Sequence, residues 1–309
     1  MSVMAAGVVV AAMGLDRAVA EPPESVHPVA LFGRLVGPLD QSWQQPRLVG
    51  AVAALALPAV AAALVAAVVG LAGDTNPLAG AVVAAGLLFA TISLRRLRTT
   101  ATDVIDRSTD DLTGAREALL ALAGRDADAL SAGHVRSAAV ESAAENLADG
   151  FVAPLTGFAL VGVVAGRWLT PGAALAAAAA AAAWIKGINT MDSMVGYPTK
   201  PVGWAAARLD DLVMWLPARL TAVVIAAATA DPAALRASAC GAGETASPNA
   251  GWPMATLAAV LDARLEKPGH YTLNAAAELP TAATAHRGVQ IVTRAGWLAV
   301  LTTVVIVGV

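Results

Sequence analysis

The chain has 309 residues, of which 57% are hydrophobic and 14% charged, with a net charge of −3. Soluble domains carry about a quarter of charged residues, so this composition predicts a membrane protein. No Lys/Arg cluster with interleaved aromatic residues occurs, which excludes nucleic acid as an expected partner. The single cysteine, Cys240, excludes an internal disulfide framework.

The N-terminal sequence MSVMAAGVVVAAMGLDRAV contains an apolar stretch, and no basic residue comes before that stretch. Its first charges are Asp16 and Arg17. A secretory signal peptide starts with a positively charged region, so this stretch predicts a retained hydrophobic helix.

Long apolar runs predict an all-α, polytopic helical membrane protein in which cytoplasmic helical segments and loops carry a polar site. The first run exceeds the ~20 residues that span a bilayer. We expect a single integral-membrane domain over 1–309, with a cytoplasmic helical insertion at about 99–148 and a polar loop region at about 231–287. The apolar runs are 48–73, 78–94, 151–166, 173–185 and 295–309.

Positively charged residues predict the orientation of these runs, because cytoplasmic loops are rich in Lys and Arg. Arg95, Arg96 and Arg98 follow the second run, and Arg34 and Arg47 precede the first, so both flanks are expected in the cytoplasm. GAREALLALAG predicts an amphipathic helix in the insertion.

Three later segments are harder to place. The runs 151–166 and 173–185 are short for full spans and suggest a tilted hairpin or a re-entrant pair. The segment 212–230 is interrupted by Pro217 and Arg219, and we expect it to dip into the membrane or pack on the bundle without crossing.

The stretch ESAAENLADGF places Glu141, Glu145 and Asp149 four residues apart. Each such step advances about 40° around an α-helix, so the three carboxylates would form one stripe with Asn146 beside it. In a soluble helix such a stripe is a solvated face; beside so apolar a sequence it is an equally good candidate for a site.

Three further polar clusters lie at the ends of apolar runs. The first is a Pro/Gly-bounded loop at 24–40 with His27, Arg34 and Asp40; the others are 186–220 and the turn-rich loop 247–253. Their acids could hold Mg²⁺ through oxygen ligands, and their cations could clamp phosphates or a carboxylate. An acid pair such as Asp210–Asp211 could equally be a helix cap or a solvated pair. No P-loop motif occurs.

Five stretches resemble one family when taken in order: HPVALFGRLV, AREALLALAGRDADAL, VESAAENLADGFVAPL, NTMDSMVGYPTKPVGWAAARLDDLVMWLPARLTA and SPNAGWPMATLAAVLDARLEKPGHY. The chain is similar to the CobD/CbiB family, the adenosylcobinamide-phosphate synthases, from about residue 11 to 271. The family tends to have Glu where Asp40 closes the first motif here.

The resemblance implies ATP- and Mg²⁺-dependent amide formation between adenosylcobyric acid and (R)-1-amino-2-propanol or its O-phosphate. ATP and the corrinoid would be substrates, and the lipid bilayer a partner. The resemblance also suggests other late cobalamin-pathway enzymes as protein partners. It implies a multi-pass protein of the cytoplasmic (inner) membrane, with the active site facing the cytoplasm.

Candidate residues follow from matching these motifs to the chemistry. The expected metal ligands and base are Glu141, Glu145, Asp149, Asp210 and Asp211. The expected catalytic cations are Lys186 and Arg208. The expected substrate-binding residues are His27, Arg34, Asn146, Asn189, Asp192, Tyr197, Arg219, Ser247, Asn249, Gly251 and Trp252.

Two other functions fit a membrane protein with a polar site. A corrinoid transporter predicts acids at mid-membrane and internal symmetry, and neither is visible in the sequence. A non-catalytic signalling relative predicts the loss of some acids or of Arg208 and Arg219, and all are present.

Overall fold

The computed structural model describes residues 2–19, 25–123 and 127–309. Glu24, which opens the 24–40 cluster, and residues 124–126 of the predicted insertion lie outside this part of the chain. Two compact units are distinguished by their internal packing. The first comprises Met1–Ser93, Asp149–Met214 and Val300–Val309; the second comprises Leu94–Ala148 and Trp215–Ala299. The predicted single integral-membrane domain stays a prediction.

The described residues are mostly helical and include only two three-residue strands, which confirms the predicted all-α class. The α-helices in chain order are α1 Ser2–Ala18, α2 Pro28–Val36, α3 Pro46–Thr75, α4 Pro77–Thr91, α5 Leu94–Asp110, α6 Leu112–Leu119, α7 Ala132–Leu147, α8 Ala153–Ala165, α9 Pro171–Val195, α10 Trp204–Val213, α11 Trp215–Ala228, α12 Ala234–Gly241, α13 Gly251–Leu261 and α14 Ala282–Gly308. Two strands, β1 Leu265–Lys267 and β2 Tyr271–Leu273, form an antiparallel hairpin.

Within the described residues, five helices are long and apolar enough to cross a membrane, or six if one bent pair is a single span. The chain is therefore a multi-pass membrane protein. The five are Pro46–Thr75, Pro77–Asp110, Ala132–Ala165, Pro171–Val195 and Ala282–Gly308.

The runs 151–166 and 173–185 belong to longer helices than their apolar length suggests. The helix of the first begins upstream, in the polar sequence of α7, and α9 continues past its alanines to Val195. Both helices therefore reach spanning length, which favours the hairpin over the re-entrant pair among the two expected arrangements. α8 and α9 pack closely because Gly157 leaves room for Ile185 and for the Ala181 carbonyl.

The predicted break in 212–230 lies at Met214, before Pro217. The bent pair Pro201–Val213 and Trp215–Ala228 meets there. A proline ring clashes with the carbonyl four residues earlier, so Pro217 ends α10 at Val213 and is tolerated in the first turn of α11.

Packing in the first unit is organised around α3 and α9. α3 contacts α4, α9 and α10, and α9 also contacts α2 and α8. A side chain at Gly50 would collide with the Val202 carbonyl, so this glycine lets the start of α3 approach the chain just after α9.

The second unit packs α5 against α6 and α7, and α13 against α7, α11 and α12. The hairpin lies on α7 and α13 through Leu265 and Leu273, which are both buried. The region 231–287, expected to be a polar loop, therefore contains α12, α13 and the hairpin. α13, with the sequence GWPMATLAAVL, is a short apolar helix that is almost fully buried, and it was not predicted because polar turns flank it.

Candidate functional site

The carboxylates of Asp192 and Asp211 form the centre of a polar cluster in the first unit. They lie close enough to repel each other, and Arg208 Nη1 pairs with Asp211 Oδ2 at 3.1 Å. Asp211 is half-buried, whereas the Arg208 side chain is 68% exposed. We call Asp192, Arg208 and Asp211 the α9–α10 cluster.

Gly196, just after α9, makes room for this cluster. A Cβ at Gly196 would collide with the Asp192 carboxylate and would lie 2.8 Å from its carboxyl carbon. Sequence analysis did not single out Gly196. The signal was its position in DSMVGY, where a glycine directly follows a helix that ends in polar residues.

The loop after Gly196 is held by an ion pair that the site prediction omitted. Lys200 Nζ lies 2.7 Å from Asp40 Oδ2 and donates to the Met194 carbonyl at 3.2 Å. It also lies over the Tyr197 ring, 5.2 Å from its centroid. Asp40 therefore anchors this loop from the end of the 24–40 segment.

The other predicted residues of the first unit lie around its helices. Lys186 lines a small apolar cavity of about 80 Å³, in which Thr91 and Thr190 are the other polar side chains. Asn189 and Asp210 are buried.

The predicted loop at 24–40 is instead a helix, α2, followed by a 3₁₀ turn. Pro28 starts the helix, and His27 Nδ1 accepts a hydrogen bond from the Val29 N–H at 3.2 Å. Proline at the first helical position is preorganised for a helix, which explains the difference. His27 thus caps α2, and Arg34 lies exposed in its last turn.

The expected α-helical stripe of three acids ends after Glu145. α7 stops at Leu147, and Ala148–Val152 form a π-helical turn that contains Asp149. A four-residue step within a π turn does not return to the same face, so Asp149 leaves the stripe. Asp149 belongs to the first unit and Glu141 and Glu145 to the second.

Glu141 and Glu145 differ sharply in exposure. Glu141 is fully buried, while Glu145 and Asn146 are half-buried. Asn146 donates through Nδ2 to the Ser142 carbonyl one turn earlier, at 2.9 Å.

Arg219, in the second unit, lies between two tryptophans. Its guanidinium carbon is 4.4 Å from the centroid of Trp215 and 4.7 Å from that of Trp252. Its Nη1 donates to the Trp215 carbonyl at 2.6 Å and to Asn249 Oδ1 at 3.2 Å. Cation–π contacts with two rings, together with these hydrogen bonds, hold the guanidinium in one orientation.

The loop 247–251 positions the partners of Arg219. Ser247 Oγ accepts hydrogen bonds from the N–H groups of Asn249 and Ala250, at 3.2 and 3.4 Å. A Cβ at Gly251 would lie 2.7 Å from Ala242 Cα, so this glycine allows α13 to start close to the end of α12. Ser247 and Gly251 therefore shape the loop that presents Asn249 and Trp252.

The predicted residues thus fall in both units. The first holds His27, Arg34, Asp149, Lys186, Asn189, Asp192, Tyr197, Arg208, Asp210 and Asp211; the second holds Glu141, Glu145, Asn146, Arg219, Ser247, Asn249, Gly251 and Trp252. Among the described residues, no group of three or more His, Cys, Asp and Glu side chains is placed to hold a metal ion.

The fold and the polar clusters together define the class of protein. It is a multi-pass helical membrane protein in which carboxylates and cations are grouped at helix ends. The chain belongs to the CobD/Cbib protein family, whose model matches residues 9–299. This membership gives the chain a role in cobalamin biosynthesis.

Individual relatives cover most of the chain. It is 37% identical to the cobalamin biosynthesis protein CobD of Rhodobacter capsulatus, over 94% of this chain and 93% of the relative. It is 36% identical to CobD of Mycobacterium tuberculosis, over 81% and 77% of the two chains. It is 31% identical to a probable CobD of Methanothrix thermoacetophila, over 95% and 94%. No solved structure matches the chain significantly.

Proposed function

We propose that this chain is an ATP- and Mg²⁺-dependent amide synthase of cobalamin biosynthesis. It joins the carboxyl group of adenosylcobyric acid to (R)-1-amino-2-propanol or its O-phosphate, giving adenosylcobinamide or its phosphate. The observation that carries this proposal is the α9–α10 cluster, in which the exposed Arg208 pairs with Asp211 and the charge of Asp211 acts on Asp192.

Amide formation from a carboxylate requires activation, because a carboxylate is a poor electrophile. In the proposed reaction a carboxylate oxygen of the corrinoid attacks the γ-phosphorus of ATP, and ADP leaves. The amine then attacks the acyl phosphate carbon, inorganic phosphate leaves, and a base takes the proton of the ammonium. Such a site needs oxygen ligands, cations and a base.

The α9–α10 cluster suits Mg²⁺ carried by ATP. Mg²⁺ is usually bound by one or two carboxylates together with waters and substrate phosphates, so a three-ligand protein site is not required. Asp192 and Asp211 would supply the two carboxylates, and the ion would offset their mutual repulsion. When bound, Mg²⁺ would neutralise charge on the phosphates.

Two fixed cations suit the anionic groups of the substrates. Arg208 is exposed and lies beside Asp211, where it could reach a phosphate. Arg219, held between Trp215 and Trp252, keeps its orientation without a ligand, which lowers the entropy cost of binding a carboxylate or phosphate. Lys186 would supply a third cation at its apolar cavity.

We place the α9–α10 cluster at the cytoplasmic face of the inner membrane. Arg47 lies over Trp204, 5.9 Å from the ring centroid, at the end of the first unit where α3 begins and α9 finishes. That end also carries Lys200 and Arg208, and its aromatic side chains are exposed as in an interfacial belt.

Cysteine labelling in intact cells tests this orientation. In a Cys240→Ser background, Glu117→Cys on α6 should stay unlabelled by a membrane-impermeant thiol reagent, and Thr75→Cys at the end of α3 should be labelled. The reverse pattern would place the sites on the other face.

An assay with purified protein tests the reaction. Protein in detergent receives adenosylcobyric acid, ATP, Mg²⁺ and either amine, and corrinoid products are identified by mass. We expect an amide product that depends on both ATP and Mg²⁺, with ADP and phosphate released.

A matched pair of variants tests the cluster. Asp211→Asn should lower turnover about 10²–10³-fold, as loss of a preorganised charge in an active site does. Asp103→Asn breaks the exposed pair of Asp103 and Arg107, 2.9 Å apart, and should leave turnover unchanged. Equal effects of the two changes would remove the cluster from the site.

A further inference from the structure

Glu141 is a fully buried carboxylate whose two oxygens are both occupied. Its Oε1 accepts a hydrogen bond from Ser137 Oγ at 2.6 Å, and its Oε2 accepts one from Tyr271 Oη at 2.6 Å. Hydroxyl–carboxylate bonds of this length are charge-assisted and strong. An incoming metal ion would have to reach this carboxylate inside the packed interior of the second unit and compete with these two hydroxyls for its oxygens.

The hairpin supplies one of these donors through its register. Leu265 pairs with Leu273 and Lys267 with Tyr271, so Tyr271 lies on the same face as the two buried leucines. Pro268–His270 form the exposed turn, with Gly269 at a φ of +76°. The face that carries Tyr271 is therefore the face that packs on the unit.

A further bond joins the hairpin to the same network. The Glu266 N–H donates to Ser137 Oγ at 2.7 Å, while Ser137 donates to Glu141. Glu141 is thus linked to both strands, directly through Tyr271 and by way of Ser137 through Glu266. The directions of these hydrogen bonds are mutually consistent: the Glu266 N–H donates to Ser137, and the hydroxyls of Ser137 and Tyr271 donate to Glu141.

We propose that Glu141 is the anchor that docks the hairpin onto α7, and that Tyr271 is a positioning residue that acts through Glu141. This inference deepens the proposed function, on which its kinetic part rests, because it separates the roles of the two acids of α7. Glu141 holds the fold of the site, and the half-buried Glu145, one turn later, is the acid of α7 that contacts substrate or ion.

Hydrogen exchange of the purified protein in detergent tests the anchor without any assay of activity. Tyr271→Phe keeps the ring and removes only the hydroxyl, so the fold should survive. Loss of a donor to a buried carboxylate should raise exchange of the amides of residues 265–273 about tenfold or more. Ser137→Ala should do the same, and Thr293→Val, which removes a hydroxyl bonded only within α14, should not.

A double-mutant cycle tests whether Tyr271 acts through Glu141. Tyr271→Phe should lower kcat/KM about tenfold with an unchanged Mg²⁺ activation constant. In a Glu141→Leu background, which removes the acceptor of the Tyr271 hydroxyl, the same change should have no further effect.

Two results would overturn the inference: unchanged hairpin exchange in Tyr271→Phe, or additive effects of the two changes. A raised Mg²⁺ activation constant in Glu141→Gln with normal hairpin exchange would make Glu141 a metal ligand instead. If the wild-type protein forms no amide product, the proposed function fails, and the exchange data alone decide the anchor.

Discussion

Two acidic regions of this protein show how differently a membrane protein can use a carboxylate. Glu141 on α7 is fully buried and accepts hydrogen bonds from two hydroxyls, one of them on a distant hairpin. Asp211 on α10 is half-buried, and it lies beside an exposed arginine and a second acid. The first arrangement satisfies its charge internally and stabilises a fold, whereas the second keeps like charges together and suits a ligand.

The comparison shows that the presence of an acid in a motif does not by itself set the role of that acid. Burial of an ionised carboxylate is costly unless donors surround it, so Glu141 needs Ser137 and Tyr271. Two neighbouring carboxylates repel each other, so Asp192 and Asp211 gain from a cation. The following variants test this contrast, from the largest expected effect to the smallest.

Among the variants that follow, the largest effect is expected at Glu145, which should behave as a site acid although it shares α7 with Glu141. Glu145→Gln keeps size and hydrogen bonding but removes one charge from the helix. If an ion binds there, turnover should fall by about 10²-fold and the Mg²⁺ requirement should rise, with normal membrane yield. Kinetics over a Mg²⁺ series would measure both; wild-type turnover with the same Mg²⁺ dependence would remove Glu145 from the site.

The next largest effect is expected on the free energy of unfolding, which should fall more on replacing Glu141 than on replacing Asp211. Glu141→Ala leaves the Ser137 and Tyr271 hydroxyls without their acceptor and opens a cavity, which should cost about 2–4 kcal/mol of unfolding free energy. Asp211→Ala removes a partly exposed pair and should cost less than about 1 kcal/mol. Thermal unfolding in detergent compares them, and equal losses would contradict the contrast.

A smaller effect is expected from Gly196→Ala, which perturbs the α9–α10 cluster without touching its charges. The new Cβ would collide with the Asp192 carboxylate, which must then rotate away from its present position. We expect turnover to fall about tenfold, since misplaced catalytic groups lose orientation. Gly172→Ala, at the other end of α9 where the added Cβ meets nothing, is the matched control.

The smallest effect is expected from Lys200→Met, which breaks the pair with Asp40. The Asp40 side chain is exposed and that of Lys200 partly so, and the pair should contribute only about 0.2–1 kcal/mol. Thermal unfolding at low and high salt measures this, because screening weakens an exposed pair. A loss of several kcal/mol would show that the loop is held far more tightly than its exposure suggests.

Sequence alone determined the class of the protein and the position of its long apolar helices. Apolar runs and prolines are local signals, because spanning length and the missing proline N–H act within one segment. The prolines at 46, 77 and 171 each start a helix, and all five predicted apolar runs coincide with spanning candidates to within one residue at their C-terminal ends. The ordered motifs also identified the family.

Only the tertiary structure decided which acids lie together and which are satisfied internally. Tyr271 reaches Glu141 across 130 residues of sequence, and the Asp192–Asp211 pair depends on how α10 packs against α9. The π turn at Ala148–Val152 removed Asp149 from a stripe that regular α-helical spacing predicted. Helical periodicity is fixed by neighbouring residues, whereas burial and partner choice depend on contacts between segments that the chain brings together only when it folds.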